Sequence, residues 1–121
     1  MTRIERILLD GWLARRTCVA GNSSVEVQLD GDGVFRLHGH PIVRVRTDEG
    51  GERRVEFTFA GWPTPTTRRR INGILGGLGL PHAVSVYQKD RAQFARQAFP
   101  GEPGVVPIDS LHEWYLAGVL R

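Results

Sequence analysis

The chain has 121 residues, which suits one domain, and its 40% of hydrophobic residues can build a packed core and exceed what a disordered segment carries. Its one cysteine, Cys18, excludes an intramolecular disulfide framework and a cysteine-based zinc ribbon. The formal charge of +3 comes from 16 basic residues against 13 acidic ones, and arginine supplies nearly all of the base. The N-terminus lacks the apolar core of a signal peptide, and no apolar run approaches the ~18 residues of a membrane span. We therefore expect a cytoplasmic protein that does not enter a membrane.

The N-terminal segment has the pattern of a helix start. Thr2 and Glu5 have the spacing of a capping box, in which the threonine hydroxyl accepts from the Glu5 N–H and the glutamate reaches back. Apolar residues then recur at helical spacing as far as Trp12. We predict a helix from about Arg3 to Arg16.

Four strand patterns follow this helix. In each of them apolar residues alternate with polar ones, and glycines or polar turn formers separate consecutive patterns. The predicted strands cover residues 25–29, 34–38, 42–46 and 54–59. Short connections favour an antiparallel meander with one apolar face, which amphipathic helices would cover.

A second helix follows the prolines of the segment GWPTPTTRRRIN. Thr66 or Thr67 is its predicted cap, because a side-chain oxygen at that point accepts from a free backbone N–H. A stripe of apolar residues continues as far as Leu78, and Gly79 ends the helix.

The last third of the chain is less regular. Residues 83–88 alternate as a fifth strand, whereas residues 92–99 fit either a helix or a strand. Residues 99–109 hold three prolines and two glycines, which indicates a loop. Ser110 opens a second capping box, so we predict a helix over residues 110–121. Its aromatic residues are available for docking on its own domain, on another copy or on a partner.

Together these elements predict a single α+β domain. Its core of residues 1–98 contains an antiparallel sheet of four to six strands with an N-terminal and a central helix. The Pro/Gly-rich loop of residues 99–109 then leads to the C-terminal helix of residues 110–121, docked on the core.

Basic charge is concentrated in one part of the chain, because no acidic residue occurs from Phe57 to Lys89. On a helix capped at Thr67, the arginines that follow occupy its first positions, where the positive helix end disfavours each by about 0.3–1 kcal/mol. The free N–H groups of such an end bind anions, and arginine forks fit phosphate or carboxylate. We therefore predict that Arg68, Arg69 and Arg70 bind an acidic partner.

Alternatives remain open for these side chains. The arginines would otherwise extend into water or pair with glutamates of residues 49–56. Trp62 either stacks on a base beside them or anchors the strand-to-helix corner in the core. The predicted binding residues, with the polar strand face included, are Arg68, Arg69, Arg70, Thr66, Thr67, Arg44, Arg46, Arg54 and Trp62.

The start of the central helix belongs to a wider pattern within residues 13–94. The pattern comprises Gly21-Asn22, the strand Arg36-Leu37-His38 and the helix start Gly61-Trp62-x-Thr64-x-Thr66-Thr67-Arg68-x-Arg70-x-Asn72. It resembles a group of small uncharacterised proteins from bacteriophages and other mobile elements. The resemblance implies a phage or prophage accessory gene from a high-GC host, and such genes often encode binders of host machinery, including inhibitors of host defence.

No motif indicates catalysis. A P-loop, a dinucleotide fingerprint and a G-x-S-x-G sequence are all missing, and His38 and His40 lack supporting metal ligands in the sequence. We therefore expect no enzyme, no metal and no cofactor. The predicted function is a non-catalytic phage or prophage protein in the bacterial cytoplasm, which binds nucleic acid or inhibits a host defence protein and which can form a homo-oligomer. The alternative is a sponge for a phosphorylated signalling nucleotide.

Overall fold

The computed structural model describes residues 1–99 and 102–120. Its elements in chain order are α1 (Arg3–Leu13), β1 (Cys18–Ala20), β2 (Ser23–Val27), β3 (Gly33–Leu37), β4 (His40–Thr47), β5 (Arg53–Phe57), α2 (Pro65–Gly77), β6 (Ala83–Lys89), β7 (Ala92–Phe99), β8 (Glu102–Pro107) and β9 (Tyr115–Leu120). Strands hold 43% of the residues and helices 21%, so the fold is mostly β. The predicted α+β fold with three helices and one sheet is therefore wrong: the described residues form two helices and two sheets.

The large sheet is the predicted meander, extended at both ends. Its strand order is β1-β2-β3-β4-β5-β9, and every neighbouring pair is antiparallel. Strands β2 to β5 confirm the four predicted strands. The register places Val25, Phe35, Val43 and Phe57 in one row across the sheet, and each is fully buried. This row forms the centre of the core, because apolar side chains on neighbouring strands exclude water together.

The small sheet consists of β6, β7 and β8 in that order, all antiparallel. Its β7 is the segment for which the sequence allowed a helix or a strand. The free edge of β6 is covered by α2, whose Asn72 amide donates to the Val86 carbonyl at 2.9 Å and accepts from the Val86 N–H at 2.7 Å. Asn72 therefore takes the place of a neighbouring strand and satisfies backbone groups that an open edge would leave unpaired.

The two helices cross at close range through glycines of α2. A Cβ atom on Gly73 would collide with the Glu5 side chain, and a Cβ atom on Gly77 would collide with Leu9, one turn further along each helix. Glycine inside a helix costs roughly 1 kcal/mol relative to alanine. Here that cost is offset, because the missing side chains let the two backbones approach.

Helix α1 begins as predicted and ends early. The Thr2 hydroxyl accepts from the Glu5 N–H at 3.3 Å, but the Glu5 carboxylate accepts from Arg70 of α2 instead of closing the capping box. The helix ends at Leu13 and not at Arg16, since Arg15 has the left-handed φ of 54°. Neither α1 nor α2 is long or apolar enough to cross a membrane.

The predicted C-terminal helix of residues 110–121 is wrong. Tyr115–Leu120 form β9 instead, which pairs with β5. The Tyr115 ring stacks on the Phe57 ring at a centroid distance of 5.8 Å. The Ser110 hydroxyl accepts from the His112 N–H, so it closes a turn where a helix cap was predicted. Strand pairing prevails because β5 would otherwise leave its backbone groups unpaired at the sheet edge.

The predicted loop of residues 99–109 contains β8. Proline has no N–H to donate and is normally excluded from the interior of a sheet. Strand β8 lies at the edge of the small sheet, where a missing donor leaves no neighbouring strand unsatisfied. Pro103 and Pro107 are therefore compatible with a strand, and residues 100–101 of the predicted loop lie outside the described residues.

We expect Gly73→Ala to destabilise the protein and Gly76→Ala to stabilise it. The methyl group at position 73 would meet Glu5, and such overpacking lowers the free energy of unfolding by about 1–3 kcal/mol. A Cβ atom on Gly76 would meet nothing within 4 Å, so the better helix propensity of alanine should raise that free energy by up to about 1 kcal/mol. Urea unfolding followed by circular dichroism measures both. Equal effects of the two substitutions would contradict the close helix crossing.

Candidate functional site

Helix α2 begins earlier than its sequence predicts. The Thr64 hydroxyl accepts from the Thr67 N–H at 3.2 Å, and Pro65 occupies the first helical position. Proline fits there because its missing N–H would be unpaired in any case and its φ is already helical. Arg68 therefore follows the first turn and does not stand at the helix tip. The predicted conflict between the arginines and the helix dipole is correspondingly small, since the dipole acts mainly within that turn.

Arg70 faces the interior of the protein. It is 8% exposed, and its Nη1 donates to the carboxylate of Glu5, which is 2% exposed, at 2.9 Å. The same nitrogen lies 3.4 Å from the hydroxyl of Thr2, the cap of α1. Arg70 thus joins α2 to the start of α1, and the structure does not present it to a partner.

Arg68 is partly exposed and is held by uncharged groups. Its Nη1 donates to the Pro63 carbonyl at 3.0 Å, to the Gln88 side chain at 3.0 Å and to the Gln93 side chain at 3.1 Å. These acceptors orient the guanidinium without neutralising it. The positive charge of Arg68 is therefore still available to an anion.

Arg69 is exposed, and within residues 1–99 and 102–120 no hydrogen-bond or ion-pair partner holds its guanidinium. Arg68 and Arg69 border a shallow cleft between α2, the start of α1 and β6. Tyr87 and Gln88 form the β6 side of that cleft. The cleft therefore combines two arginines with an aromatic ring.

An aromatic cluster continues this cleft onto the outer face of the small sheet. Tyr87 on β6 and Phe94 on β7 are cross-strand partners, and their rings stack at a centroid distance of 5.6 Å. The Arg96 guanidinium lies over Tyr87, with its Cζ atom 5.8 Å from the ring centroid. All three side chains are at least partly exposed. We call Arg68, Arg69, Tyr87, Phe94 and Arg96 the basic-aromatic surface.

Sequence analysis missed the β6–β7 part of this surface because residues 92–99 fitted two kinds of element. In a strand, Phe94 and Arg96 fall on one face, and the hairpin places them opposite Tyr87 and Ser85. The short polar segment between residues 88 and 92 was the available signal in the sequence, since a short turn joining two alternating segments indicates a hairpin.

The basic-aromatic surface lies where basic residues most exceed acidic ones. From residue 57 to residue 101, Asp90 is the one acidic residue against six basic ones. Glu5 also borders the cleft, but its carboxylate is paired with Arg70 at 2.9 Å. The surface therefore carries a positive potential that favours acidic partners.

Two other predicted arginines share one carboxylate on the outer face of the large sheet. Arg44 and Arg46 on β4 donate to Glu56 on β5, at 3.0 Å and 2.6 Å. Burial by itself raises the pKa of the Glu56 carboxyl, but the hydrogen bonds and charges of the two arginines outweigh it and bring the pKa below its ordinary value. The same carboxylate raises the pKa of Arg46.

Arg54 lies on the same face of the large sheet. Its Nη1 is 4.0 Å from the Asp48 carboxylate, and the neighbouring Arg44 guanidinium lies 4.0 Å from the ring centroid of Trp114. These arginines are engaged within the protein. The structure does not join them to the basic-aromatic surface.

Trp62, Thr66 and Thr67 border a separate cavity of about 390 Å³ beside the first turn of α2. Trp62 is 57% exposed, so it does not anchor the corner in the core. Its ring centroid lies 6.1 Å from that of His40. The predicted binding residues therefore divide among this cavity, the basic-aromatic surface, the helix interface and the large sheet.

The sequence model of one protein family, described as Kyanoviridae Gp96 protein, matches residues 1–111. The chain belongs to this phage protein family. The predicted resemblance to phage proteins is confirmed at that level, and the motif on which it was based stays a prediction. No curated protein and no solved structure matches the chain.

In this Gp96-family protein, neighbouring arginines of α2 should differ sharply in their effect on stability. Arg70→Gln should lower the free energy of unfolding by about 3 kcal/mol, because Glu5 would keep a buried charge without its cationic partner. Arg69→Gln should change it by less than about 0.5 kcal/mol, because the side chain is exposed. Urea unfolding of the two variants provides the comparison. A neutral Arg70→Gln would contradict the buried ion pair.

The Glu56 carboxylate should stabilise the Gp96-family protein at neutral pH and lose that contribution in acid. Its pKa is lower in the folded state, so the unfolded chain binds more protons as the pH falls through the ordinary glutamate value of about 4.3. Glu56→Gln should cost about 1 kcal/mol at neutral pH. The difference from the unaltered protein should shrink below about pH 4, as thermal unfolding across a pH series would measure. A difference independent of pH would contradict the assignment.

Proposed function

We propose that this phage protein is a non-catalytic binder of single-stranded nucleic acid, which it holds on the basic-aromatic surface. The observation that carries the proposal is the stack of Arg96 over Tyr87 and of Tyr87 on Phe94, beside the cleft of Arg69. Proteins that bind single strands combine a positive groove for the backbone with aromatic rings for the bases. Both components adjoin Tyr87, which borders the cleft and takes part in the stack.

The arginines of the cleft suit the phosphates of a nucleic-acid backbone. Arg68 is already oriented by neutral acceptors, so it loses little conformational freedom when a phosphate arrives. Arg69 is exposed, so its side chain can adjust to the position of a phosphate on the nucleic-acid strand. Each phosphate contact also releases counterions, which adds a favourable term that weakens as the salt concentration rises.

The rings of the small sheet suit unpaired bases. Base stacking on an aromatic side chain contributes about 1–3 kcal/mol per base and tolerates any sequence, because every base has a π face. In a duplex the bases are already stacked on one another and are not free to lie on Tyr87 and Phe94. The ring pair therefore favours a single strand over a duplex.

The same rings favour nucleic acid over an acidic host protein. A defence protein that the phage inhibits could satisfy Arg69 and Arg96 with carboxylates. Carboxylates alone would leave Tyr87 and Phe94 unused, whereas a single strand engages the arginines and the rings together. We therefore propose nucleic acid as the partner. The variants below also test a host protein as the partner.

Arg69→Gln and Arg96→Gln should each weaken binding of a labelled single strand of about 15 nucleotides. Each variant should also reduce the slope of log affinity against log salt by about 0.7, the contribution of one phosphate contact on a single strand. Fluorescence anisotropy between about 50 and 200 mM salt measures both quantities. A duplex of the same sequence should bind more weakly than the single strand.

Arg36→Gln is the matched control. It removes the same charge from the large sheet, where Arg36 pairs with Glu26 at 2.7 Å, and it should leave affinity and salt slope unchanged. Equal losses in all three variants, or no binding of any single strand at low salt, would contradict the proposal. The host-protein alternative would then be supported if the unaltered protein captured a host protein from nuclease-treated lysate and neither Arg69→Gln nor Arg96→Gln captured it.

A further inference from the structure

The first turn of α2 separates the basic cleft from a second concave site. Thr64, Thr66 and Thr67 border the cavity of about 390 Å³, whereas Pro65 and Arg68 border the cleft. The two sites are therefore adjacent along one turn of helix. A cavity of this volume falls within the range of about 300–1,000 Å³ that small-molecule groups occupy.

The cavity has an apolar floor, and histidines and threonines form its walls. Leu37, Ile42 and Phe59 form the floor, and every lining residue among those that the structure describes is apolar, histidine or threonine. The hydroxyls of Thr64 and Thr67 are 3.0 Å apart and already bond each other. A free phosphate or carboxylate would find no lysine or arginine here, whereas a flat, neutral ring with a few polar edge atoms matches the lining.

The corner that carries Trp62 has left-handed backbone and packs closely against His112. Ala60 has φ 53° and Gly61 has φ 86°, and a Cβ atom on Gly61 would lie 2.6 Å from the His112 ring. His38, which also lines the cavity, has φ 50°. Left-handed backbone at non-glycine residues is costly and concentrates at ligand sites. Trp62 follows this corner, lines the cavity and is 57% exposed.

We propose that the cavity takes one nucleobase of the bound strand, stacked on Trp62. The inference rests on the proposed function and names where a base is held. A strand that crosses the first turn of α2 would place a phosphate on Arg68 and an adjacent base against the indole. The apolar cavity with its threonines and histidines suits the base, and the arginines of the cleft suit the phosphate, so one nucleotide spans two sites of matching chemistry.

Tryptophan emission tests this proposal directly. Trp12 is 8% exposed and Trp114 lies under Arg44, so Trp62 is the tryptophan that an incoming base would reach. In a Trp114→Phe background, an unlabelled single strand should quench the emission of Trp62. Trp62→Leu should weaken binding about 5- to 150-fold, the equivalent of one lost base stack. Trp62→Phe keeps a ring and should retain most of the affinity.

The outcomes separate this inference from the proposed function. If Trp62→Leu binds the strand as tightly as the unaltered protein and emission does not change, while Arg69→Gln weakens binding, the cavity proposal is overturned and the proposed function stands. If no single strand binds at low salt, both are overturned. The base pocket is supported if Trp62→Leu loses affinity for the single strand while Trp62→Phe retains it. The unfolding of Trp62→Leu, followed by circular dichroism, should then match that of the unaltered protein.

Discussion

The close crossing of α1 and α2 determines the position of both candidate sites. Glu5 and Arg70 bury an ion pair at 2.9 Å in this crossing, and Gly73 and Gly77 leave room for the facing helix. An ion pair that loses one partner in the interior leaves an uncompensated charge, which strongly disfavours any other register of the helices. The register in turn fixes the first two turns of α2. The position of the cleft and of the cavity therefore depends on this contact between the helices.

Helical geometry explains why three consecutive arginines have three different environments. Successive residues point about 100° apart around a helix, so Arg70 turns toward α1, Arg68 toward the small sheet and Arg69 toward solvent. A run of like charges in the sequence is thus not a patch on the surface. Arg68 and Arg69 share the cleft with Tyr87, and Arg96, a residue far away in the chain, lies over the same ring.

Local patterns predicted the parts of the fold that local chemistry decides. Alternation gave the strands of the meander, and Thr2 was correctly placed as a cap. Strand β9 was not predictable in this way, because its pairing depends on an edge that β5 provides across a long stretch of chain. Ser110 shows the same limit, since a serine hydroxyl closes a turn as readily as it caps a helix. The pairing of Arg70 with Glu5 is likewise a long-range contact without a local signature.

Two arginine–aromatic contacts illustrate how the placement of acids decides which surface is available. Arg44 lies over Trp114 and also donates to Glu56 at 3.0 Å, so a phosphate would have to displace a carboxylate. Arg96 lies over Tyr87, and no carboxylate bonds it within the part of the chain that the structure describes. The two contacts are chemically similar, yet the positive potential remains with the small sheet. A modest net charge therefore coexists with a basic small-sheet segment, because seven of the 13 acidic residues lie between Glu26 and Glu56, in the strands and turns of the large sheet.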